Sequence, residues 1–238
     1  MGNSDQDLMG AARYLGAEVA GLRFAAPTAY IYNPLEYAWK AHAEYLRRWG
    51  SGRKRVIFLG MNPGPWGMAQ TGVPFGEVNL VREFLGIEEE VEKPDPEHPK
   101  RPIQGFRCQR SEVSGRRLWG LFRERFLSAD AFFEDHFVLN YCPLVFMEES
   151  GRNRTPDKLP AAEKEALRKA CNRFLLRAID LLDPEICVGV GAYAENCLLE
   201  VVPDRRILRV LHPSPASPAA NRGWAEAASA TLEAAKVW

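Results

Sequence analysis

The sequence lacks paired cysteines, net charge and long apolar stretches. None of its five cysteines stands in a Cys-x-x-Cys pair, which is evidence against a zinc or iron–sulfur site. The formal net charge is zero, so the overall charge does not indicate a nucleic-acid partner. No apolar stretch has the length of a membrane span, and we expect no signal peptide. We therefore expect reduced thiols in a reducing compartment.

Length and composition suit a single domain. The chain has 238 residues, of which 46% are hydrophobic and 26% are charged, as in ordinary globular proteins. A chain of this length can bury a substantial core without disulfide bonds. We predict one domain over residues 1–238, in which residues 1–28 form an N-terminal helix, at 7–22, and a connector.

The spacing of apolar residues predicts an α/β fold. Short stretches rich in branched and aromatic residues predict buried parallel strands at 55–59, 137–141, 186–190 and 207–211. Helical spacing predicts helices at 34–49, 115–126, 161–182 and 219–237. Strands that alternate with helices indicate a parallel sheet with helices on both faces. The proline-rich residues 88–114 are predicted to be an irregular excursion on the surface.

Local charge is less even than the total. Residues 107–125 contain six arginines and two glutamates, whereas residues 88–97 contain six acidic residues and one lysine. Such segments are commonly two solvated faces of a protein. The alternative is a molecule polarised toward a polyanion.

Three familiar motifs fit poorly. Residues 60–67 lack the Lys-Ser/Thr pair of a phosphate-binding P-loop. Gly189, Gly191 and Ala194 match Gly-x-Gly-x-x-Ala between a strand and a helix, which leaves a dinucleotide site open. The alternative is that these small residues let the helix pack closely on the strand. The serines that follow His212 lack the nucleophile-elbow pattern, so we do not expect acyl transfer.

Polar side chains stand at the ends of three predicted strands. Asn62 and Asn140 follow or end the first two strands, and His212 follows the last, on a loop stiffened by prolines. Each asparagine alone is typical of a turn, and a lone histidine is commonly structural. Ligands of such sheets bind beyond the carboxyl ends of the strands. The three side chains together therefore predict a site at that edge.

Several motifs together resemble one known family. The stretch GMNPGPWGMAQTGVPFGEV at residues 60–78 looks like the water-activating motif of single-strand-selective monofunctional uracil-DNA glycosylases. HPSP at 212–215, followed by ANRGW at 220–224, is similar to the second motif of that family. Residues 111–117, 140–144 and 150–153 add to the resemblance, which extends over most of the chain from about residue 30.

The resemblance implies a DNA-repair glycosylase with a three-layer α/β/α fold around a short, mainly parallel four-stranded sheet. Such an enzyme hydrolyses the N-glycosidic bond of uracil or 5-hydroxymethyluracil in single- and double-stranded DNA and leaves an abasic site. It needs no metal or other cofactor, and it takes the base out of the duplex. We expect DNA as the partner, a monomer and no membrane. The expected compartment is the nucleoid-associated cytoplasm of a bacterium or the nucleus of a eukaryote.

Two residues match the catalytic positions of the family. Asn62 matches the residue that positions the attacking water, and an amide can orient water but cannot act as a base at neutral pH. His212 matches the histidine that stabilises negative charge on O2 of the departing uracil. Weak activation of water is sufficient if the sugar cation has largely formed before the attack.

The resemblance also implies a base pocket. Phe75 matches the stacking phenylalanine, and Asn140 matches the residue that reads the Watson–Crick edge of the base. Gly64 and Met68 would border C5 of the base, where thymine carries its methyl group, and Met61 is also expected to bind the base. We therefore expect the pocket to accept 5-hydroxymethyluracil and to exclude thymine.

The segment after His212 corresponds to the intercalating loop of the family. Its predicted DNA contacts are Pro213, Ser214, Pro215, Ser217, Asn221 and Arg222. Ala216 and Ser217 stand where vertebrate-like members carry Arg and Asn, so the residue that fills the emptied base stack is open. The opening of a helix after Pro218 is expected to approach phosphates.

Other functions remain open at the level of the sequence. A sister specificity, such as mismatch or hypoxanthine removal, would use the same fold. A lesion-binding protein without catalysis would use the same pocket. The dinucleotide site at residues 189–194 is the third alternative.

Overall fold

In a computed structural model, residues 7–238 are described. Their strands are β1 Tyr30–Tyr32, β2 Val56–Gly60, β3 His136–Asn140, β4 Val145–Met147, β5 Asn153–Arg154, β6 Ile186–Val190 and β7 Arg206–Val210. The helices are α1 Leu8–Ala20, α2 Pro34–Tyr37, α3 Trp39–Trp49, α4 Met68–Thr71, α5 Val78–Glu83, α6 Val113–Phe126, α7 Ala129–Asp135, α8 Ala161–Leu182, α9 Ala192–Val201 and α10 Trp224–Ala234.

A four-stranded parallel sheet forms the centre of the molecule, in the order β3-β2-β6-β7. The four predicted strands are confirmed, with bounds that differ by at most one residue. β2, β3 and β6 are buried along their whole length, as expected for strands covered on both faces. Gly60 pairs with Asn140 at the carboxyl ends of β2 and β3. The predicted α/β fold with a four-stranded parallel sheet is thereby confirmed.

A second sheet was not predicted from the sequence. β1, β4 and β5 form a three-stranded antiparallel sheet, with β4 in the middle. Each strand has only two or three residues, which is too short for an alternating pattern to be recognised. Only four residues separate the end of β3 at Asn140 from the start of β4 at Val145, so the chain passes from the parallel sheet into the antiparallel sheet within a short loop.

Two predicted helices differ substantially from the helices in the structure. The helix predicted at 34–49 is divided at Ala38, whose φ of −109° and ψ of 24° separate α2 from α3. The helix predicted at 219–237 begins only at Trp224, after Gly223 with φ +127°. A short 3-10 helix at Ala220–Arg222 takes the place of the predicted α-helix start after Pro218, and the expectation that this segment approaches phosphates stays a prediction.

The prediction that residues 88–114 form a surface excursion is also wrong in part. The segment is irregular, but Ile103, Phe106 and Cys108 are buried with the core, and His98 is 1% exposed. α6 then begins at Val113, two residues earlier than predicted, because Glu112 caps it by accepting a hydrogen bond from Gly115 N. The prolines stiffen a segment that is partly packed against the domain.

The N-terminal helix is confirmed as α1, which packs against α8. Residues 1–6 lie outside the described residues, so the single domain over 1–238 remains a prediction. All five cysteines are buried and unpaired. Over residues 7–238 no helix combines the length and apolar character needed to cross a membrane.

Candidate active site

A cavity of about 350 Å³ lies at the carboxyl ends of β2, β3 and β7. All the residues predicted to be catalytic or to bind the base line it. These are Met61, Asn62, Gly64, Met68, Phe75, Asn140 and His212. Tertiary structure thus brings together side chains that are up to 151 residues apart in the chain. A cavity of this size is at the small end of ligand sites, as suits one nucleobase.

Phe75 closes one side of the cavity. Its backbone has a φ of +53°, and its ring lies directly against Gly60 at the end of β2. A Cβ at Gly60 would lie 2.4 Å from the Phe75 ring and 2.5 Å from Oδ1 of Asn140. Only glycine therefore lets the aromatic ring and the Asn140 amide meet at this strand end.

The Asn62 amide is held in one orientation. Its Nδ2 donates to the backbone carbonyls of Leu144 at 3.0 Å and Pro63 at 3.2 Å. Both amide hydrogens are thus directed at backbone oxygens. The side-chain oxygen is left as an acceptor, which is the group that can hold a water by one of its hydrogens.

Asn140 is positioned next to Met68. Its Nδ2 donates to the Met68 sulfur at 3.3 Å, while its Oδ1 lies on the side of Gly60. The amide nitrogen has a second hydrogen, so it can donate to a ligand as well. Asn140 therefore offers one donor and one acceptor side by side, with the donor toward Met68.

His212 faces the same cavity from the end of β7. Its ring centroid is 6.2 Å from that of Phe75, and Gly191 provides the space behind it. A Cβ at Gly191, which has a φ of +93°, would be only 3.0 Å from the Cβ of His212. Burial lowers the pKa of His212 below its usual value, which favours a neutral ring at neutral pH.

The predicted DNA-contacting residues divide into two groups. Ser214 and Pro215 line the cavity, whereas Pro213, Ser217, Asn221 and Arg222 lie outside its lining. Arg117 of α6 ties this loop down, since it donates to Pro213 O at 3.0 Å, to Ser214 O at 3.4 Å and to Asn221 Oδ1 at 2.9 Å.

Four polar lining residues had no assigned role at the level of the sequence: Glu112, Ser114, Asn153 and Thr155. Glu112 sits at the N-terminus of α6 with its side chain against Gly64 and Gly67. Burial raises the pKa of Glu112, and the Gly115 N–H opposes that shift. For Glu112, Ser114 and Asn153 the available signal was their position within the family-like segments 111–117 and 150–153, whereas Thr155 lies just beyond them. No spacing rule connects those segments to the cavity.

The glycines of residues 189–194 have a packing function. A Cβ at Gly189 would lie 2.5 Å from the backbone nitrogen of Glu195, so the absence of a side chain allows α9 to approach β6. Gly191 makes room for His212, as described above. The close-packing alternative therefore accounts for both glycines, and the dinucleotide site has no further support.

The chain is similar to proteins of known family. The family model described as the uracil DNA glycosylase superfamily matches residues 48–233. The chain belongs to the uracil-DNA glycosylase superfamily. A "Single-strand selective monofunctional uracil-DNA glycosylase" from Rattus norvegicus is 50% identical over 223 residues, which cover 92% of this chain and 80% of the relative. The corresponding protein from Bos taurus is 48% identical over 222 residues, which cover 92% of this chain and 82% of the relative.

A solved structure shares the fold. The crystal structure of wild-type Pedobacter heparinus SMUG2 superimposes with a TM-score of 0.70, and the match covers 97% of each chain. The two sequences are 18% identical, so this likeness bears on the fold alone. The family resemblance inferred from the motifs is thus confirmed, as is the superfamily's α/β architecture.

Proposed function

We propose that this uracil-DNA glycosylase removes uracil and 5-hydroxymethyluracil from single- and double-stranded DNA and leaves an abasic site. The observation that supports this most directly is the convergence of Asn62, Phe75, Asn140 and His212 on one cavity of about 350 Å³. A base must leave the stack to enter such a cavity, at a cost of a few kcal/mol. Stacking on Phe75 offsets that cost by about 1–3 kcal/mol.

The chemical step is assigned to two side chains. As the glycosidic bond breaks, the sugar becomes positive and the uracil becomes negative at O2. His212 donates a hydrogen bond to O2, an interaction that strengthens as the charge develops. The neutral ring favoured by burial can make this donation from an N–H without giving up a proton. Asn62 then directs a water at C1′ through its free Oδ1.

Recognition of the base is assigned to Asn140. Uracil presents N3–H as a donor and O4 as an acceptor, whereas cytosine presents the reverse. The contact of Nδ2 with the Met68 sulfur supports the orientation in which Oδ1 accepts from N3–H and Nδ2 donates to O4. In that orientation the Met68 side of the amide faces the C4–C5 edge, so cytosine is disfavoured by two unmatched hydrogen bonds.

Exclusion of thymine is assigned to the C5 wall. Gly64 and Met68 border this edge, and Glu112 lies directly behind Gly64. A methyl group would displace ordered water from a polar wall without replacing its hydrogen bonds. A hydroxymethyl group can replace them, which supports activity on 5-hydroxymethyluracil. We further propose that the enzyme acts as a monomer, and that it works in the nucleoid-associated cytoplasm of a bacterium or the nucleus of a eukaryote.

The test is an alkali-cleavage assay without added metal. Single-stranded and duplex oligonucleotides would carry uracil, 5-hydroxymethyluracil, thymine, cytosine or hypoxanthine at one position. We expect strand breaks after alkali at uracil and 5-hydroxymethyluracil and none at thymine or cytosine. Absence of breaks at uracil in both kinds of DNA would refute the activity. Breaks at hypoxanthine alone would instead establish a sister specificity, and binding without breaks would indicate a lesion-binding protein.

A further inference from the structure

An aromatic ring and two arginines form a compact group outside the cavity, here called the Arg–Trp cluster: Trp66, Arg101 and Arg110. The guanidinium carbon of Arg110 lies 4.5 Å from the Trp66 ring centroid, and that of Arg101 lies 5.4 Å from it. Stacking over a ring uses the flat face of a guanidinium and leaves its N–H edge free to bind an anion.

The Arg–Trp cluster lies at the rim of the candidate active site. Gly64 and Pro65 line the cavity and directly precede Trp66, while Glu112 lines the cavity two residues after Arg110. Two residues of backbone span at most about 7 Å. A strand of duplex DNA advances about 3.4 Å per nucleotide. The backbone of the cluster is therefore adjacent to the cavity, so its guanidinium groups are near the DNA backbone that flanks a base held there.

A buried amide fixes the geometry of the cluster. The Gln70 side chain donates to Pro65 O at 3.0 Å and to Pro102 O at 3.1 Å, and it accepts from Gln104 N at 2.8 Å. Gln70 is 0% exposed. It thereby joins the backbone next to Trp66 to the backbone next to Arg101, so the two parts of the cluster are held together before any ligand binds.

The arginines of the cluster have unused charge. Among residues 7–238, neither Arg101 nor Arg110 forms an ion pair. Arg101 Nη1 donates to the backbone carbonyl of Lys100 at 3.0 Å, but its buried Nε has no hydrogen-bond partner among those residues. Other arginines in the arginine-rich part of the structure differ, since Arg82 pairs with Glu88 at 2.9 Å and Arg125 with Glu233 at 3.0 Å. Unpaired guanidinium groups on a fixed support are suited to phosphate oxygens.

We propose that the Arg–Trp cluster is a phosphate clamp for the DNA strand that flanks the flipped nucleotide. Trp66 holds the two guanidinium groups, and their free N–H edges donate to phosphodiester oxygens. This inference rests on the proposed function, because it assumes that the cavity holds a base still attached to DNA. The clamp needs only backbone phosphates, so it serves a single strand as well as a duplex.

The test is the salt dependence of binding to a labelled, uracil-free single-stranded oligonucleotide, followed by fluorescence anisotropy. Arg110→Gln is expected to weaken binding about 5- to 10-fold and to reduce the slope of log K against log salt by about 0.7. Trp66→Leu keeps both charges but removes their support, and it is expected to weaken binding to a similar extent. Arg13→Gln is the matched control, because Arg13 lies 3.6 Å from the Trp39 centroid, on α1. It removes the same charge from an equivalent stack, and wild-type binding is expected.

The outcomes separate the clamp from the activity. An unchanged salt slope in folded Arg110→Gln, with uracil cleavage intact in the wild type, would refute the clamp alone. An equal loss in Arg13→Gln would also refute it, since the effect would then be one of total charge. Inorganic phosphate at matched ionic strength should not displace the DNA. Displacement in the wild type but not in Arg110→Gln would show a site for free phosphate and overturn the assignment to DNA.

Discussion

The two loops that supply the proposed catalytic residues are held in different ways. The β2 loop, residues 61–77, carries Asn62 and is fastened by buried side chains. His42 Nδ1 donates to Gly72 O at 2.7 Å, Trp119 Nε1 to Pro74 O at 3.0 Å and Tyr37 Oη to Ala69 O at 2.7 Å. The β7 loop, residues 211–223, carries His212.

The buried Trp224 holds the start of the β7 loop, since its Nε1 donates to Leu211 O, but the other side-chain hydrogen bonds of this loop are closer to solvent. Arg117 and Asn221 make most of its side-chain contacts, and Asn221 is exposed. Buried hydrogen bonds have few competitors and hold a backbone in one position, whereas exposed ones exchange with water at little cost. The difference indicates that the β2 loop is a rigid part of the base pocket, whereas the β7 loop can adjust to the DNA.

The largest expected effect comes from removing one proposed catalytic group from each loop. Asn62→Ala and His212→Ala should each lower the single-turnover rate of uracil release about 100-fold or more, since each removes a group directed at the reacting atoms. Asn196→Ala, an exposed amide on α9, is the control and should react as the wild type does. Rapid-quench assays on uracil-containing single strands measure this. A wild-type rate in either catalytic variant would remove that residue from the mechanism.

Acid should act on the fold through a histidine that fastens the β2 loop. Burial lowers the pKa of both His42 and His136 to about 4. The unfolded chain binds these protons near pH 6.5 and therefore holds more protons between pH 6.5 and about 4. The free energy of unfolding should thus fall as the pH falls through that window, by up to about 1.4 kcal/mol per pH unit for each histidine.

Urea denaturation at several pH values tests this, with one variant for each histidine. His42→Gln and His136→Gln should each reduce the pH dependence by about half. Only His42→Gln should also slow uracil release at pH 7, because His136 donates to Phe132 O rather than to the β2 loop. If the free energy of unfolding of His42→Gln depended on pH as strongly as that of the wild type, His42 would not be a source of the acid sensitivity.

The smallest expected effect separates two neighbouring arginines on α6. Arg117→Ala removes three hydrogen bonds to the β7 loop, whereas Arg116→Ala removes an exposed charge that has no ion-pair partner within the described part of the chain. We expect kcat/KM on duplex DNA to fall about 10-fold more in Arg117→Ala than in Arg116→Ala. A smaller difference is expected on single strands, which need no separation of the duplex. Equal effects on duplex DNA would show that charge, rather than the fastening of the loop, matters.

Parts of the fold could be predicted because they have strong local patterns. The strands β2, β3 and β6 are continuous apolar stretches, and the 22-residue helix α8 was predicted with its exact bounds. The antiparallel sheet of β1, β4 and β5 could not be predicted, because strands of two or three residues have no readable period. The partial burial of residues 88–114 was not predicted, because a proline-rich irregular segment has no periodic pattern that would distinguish a packed segment from an exposed one.

The candidate site was predicted only as a set of residues. Motif resemblance named Asn62, Asn140 and His212, and the rule that ligands bind at strand ends gave their common edge. The sequence could not reveal that the Asn62 amide nitrogen is bound to backbone carbonyls, which leaves its oxygen free. Nor could it reveal that Asn140 donates to the Met68 sulfur, or that the Glu112 side chain lies next to Gly64. Those orientations depend on contacts between segments that are far apart in the chain.

The sequence by itself determined which chemical groups are present and which strands form, because apolar patterning and motif identity are local properties. Only the tertiary structure decided how those groups face one another. Gly60 is an ordinary turn residue in the sequence, yet in the fold it is the point where Phe75 and Asn140 meet. Trp66 likewise becomes part of a charged cluster only because folding places Arg101 and Arg110 over its ring. Contacts of this kind depend on partners that are distant in the sequence and that only folding brings together.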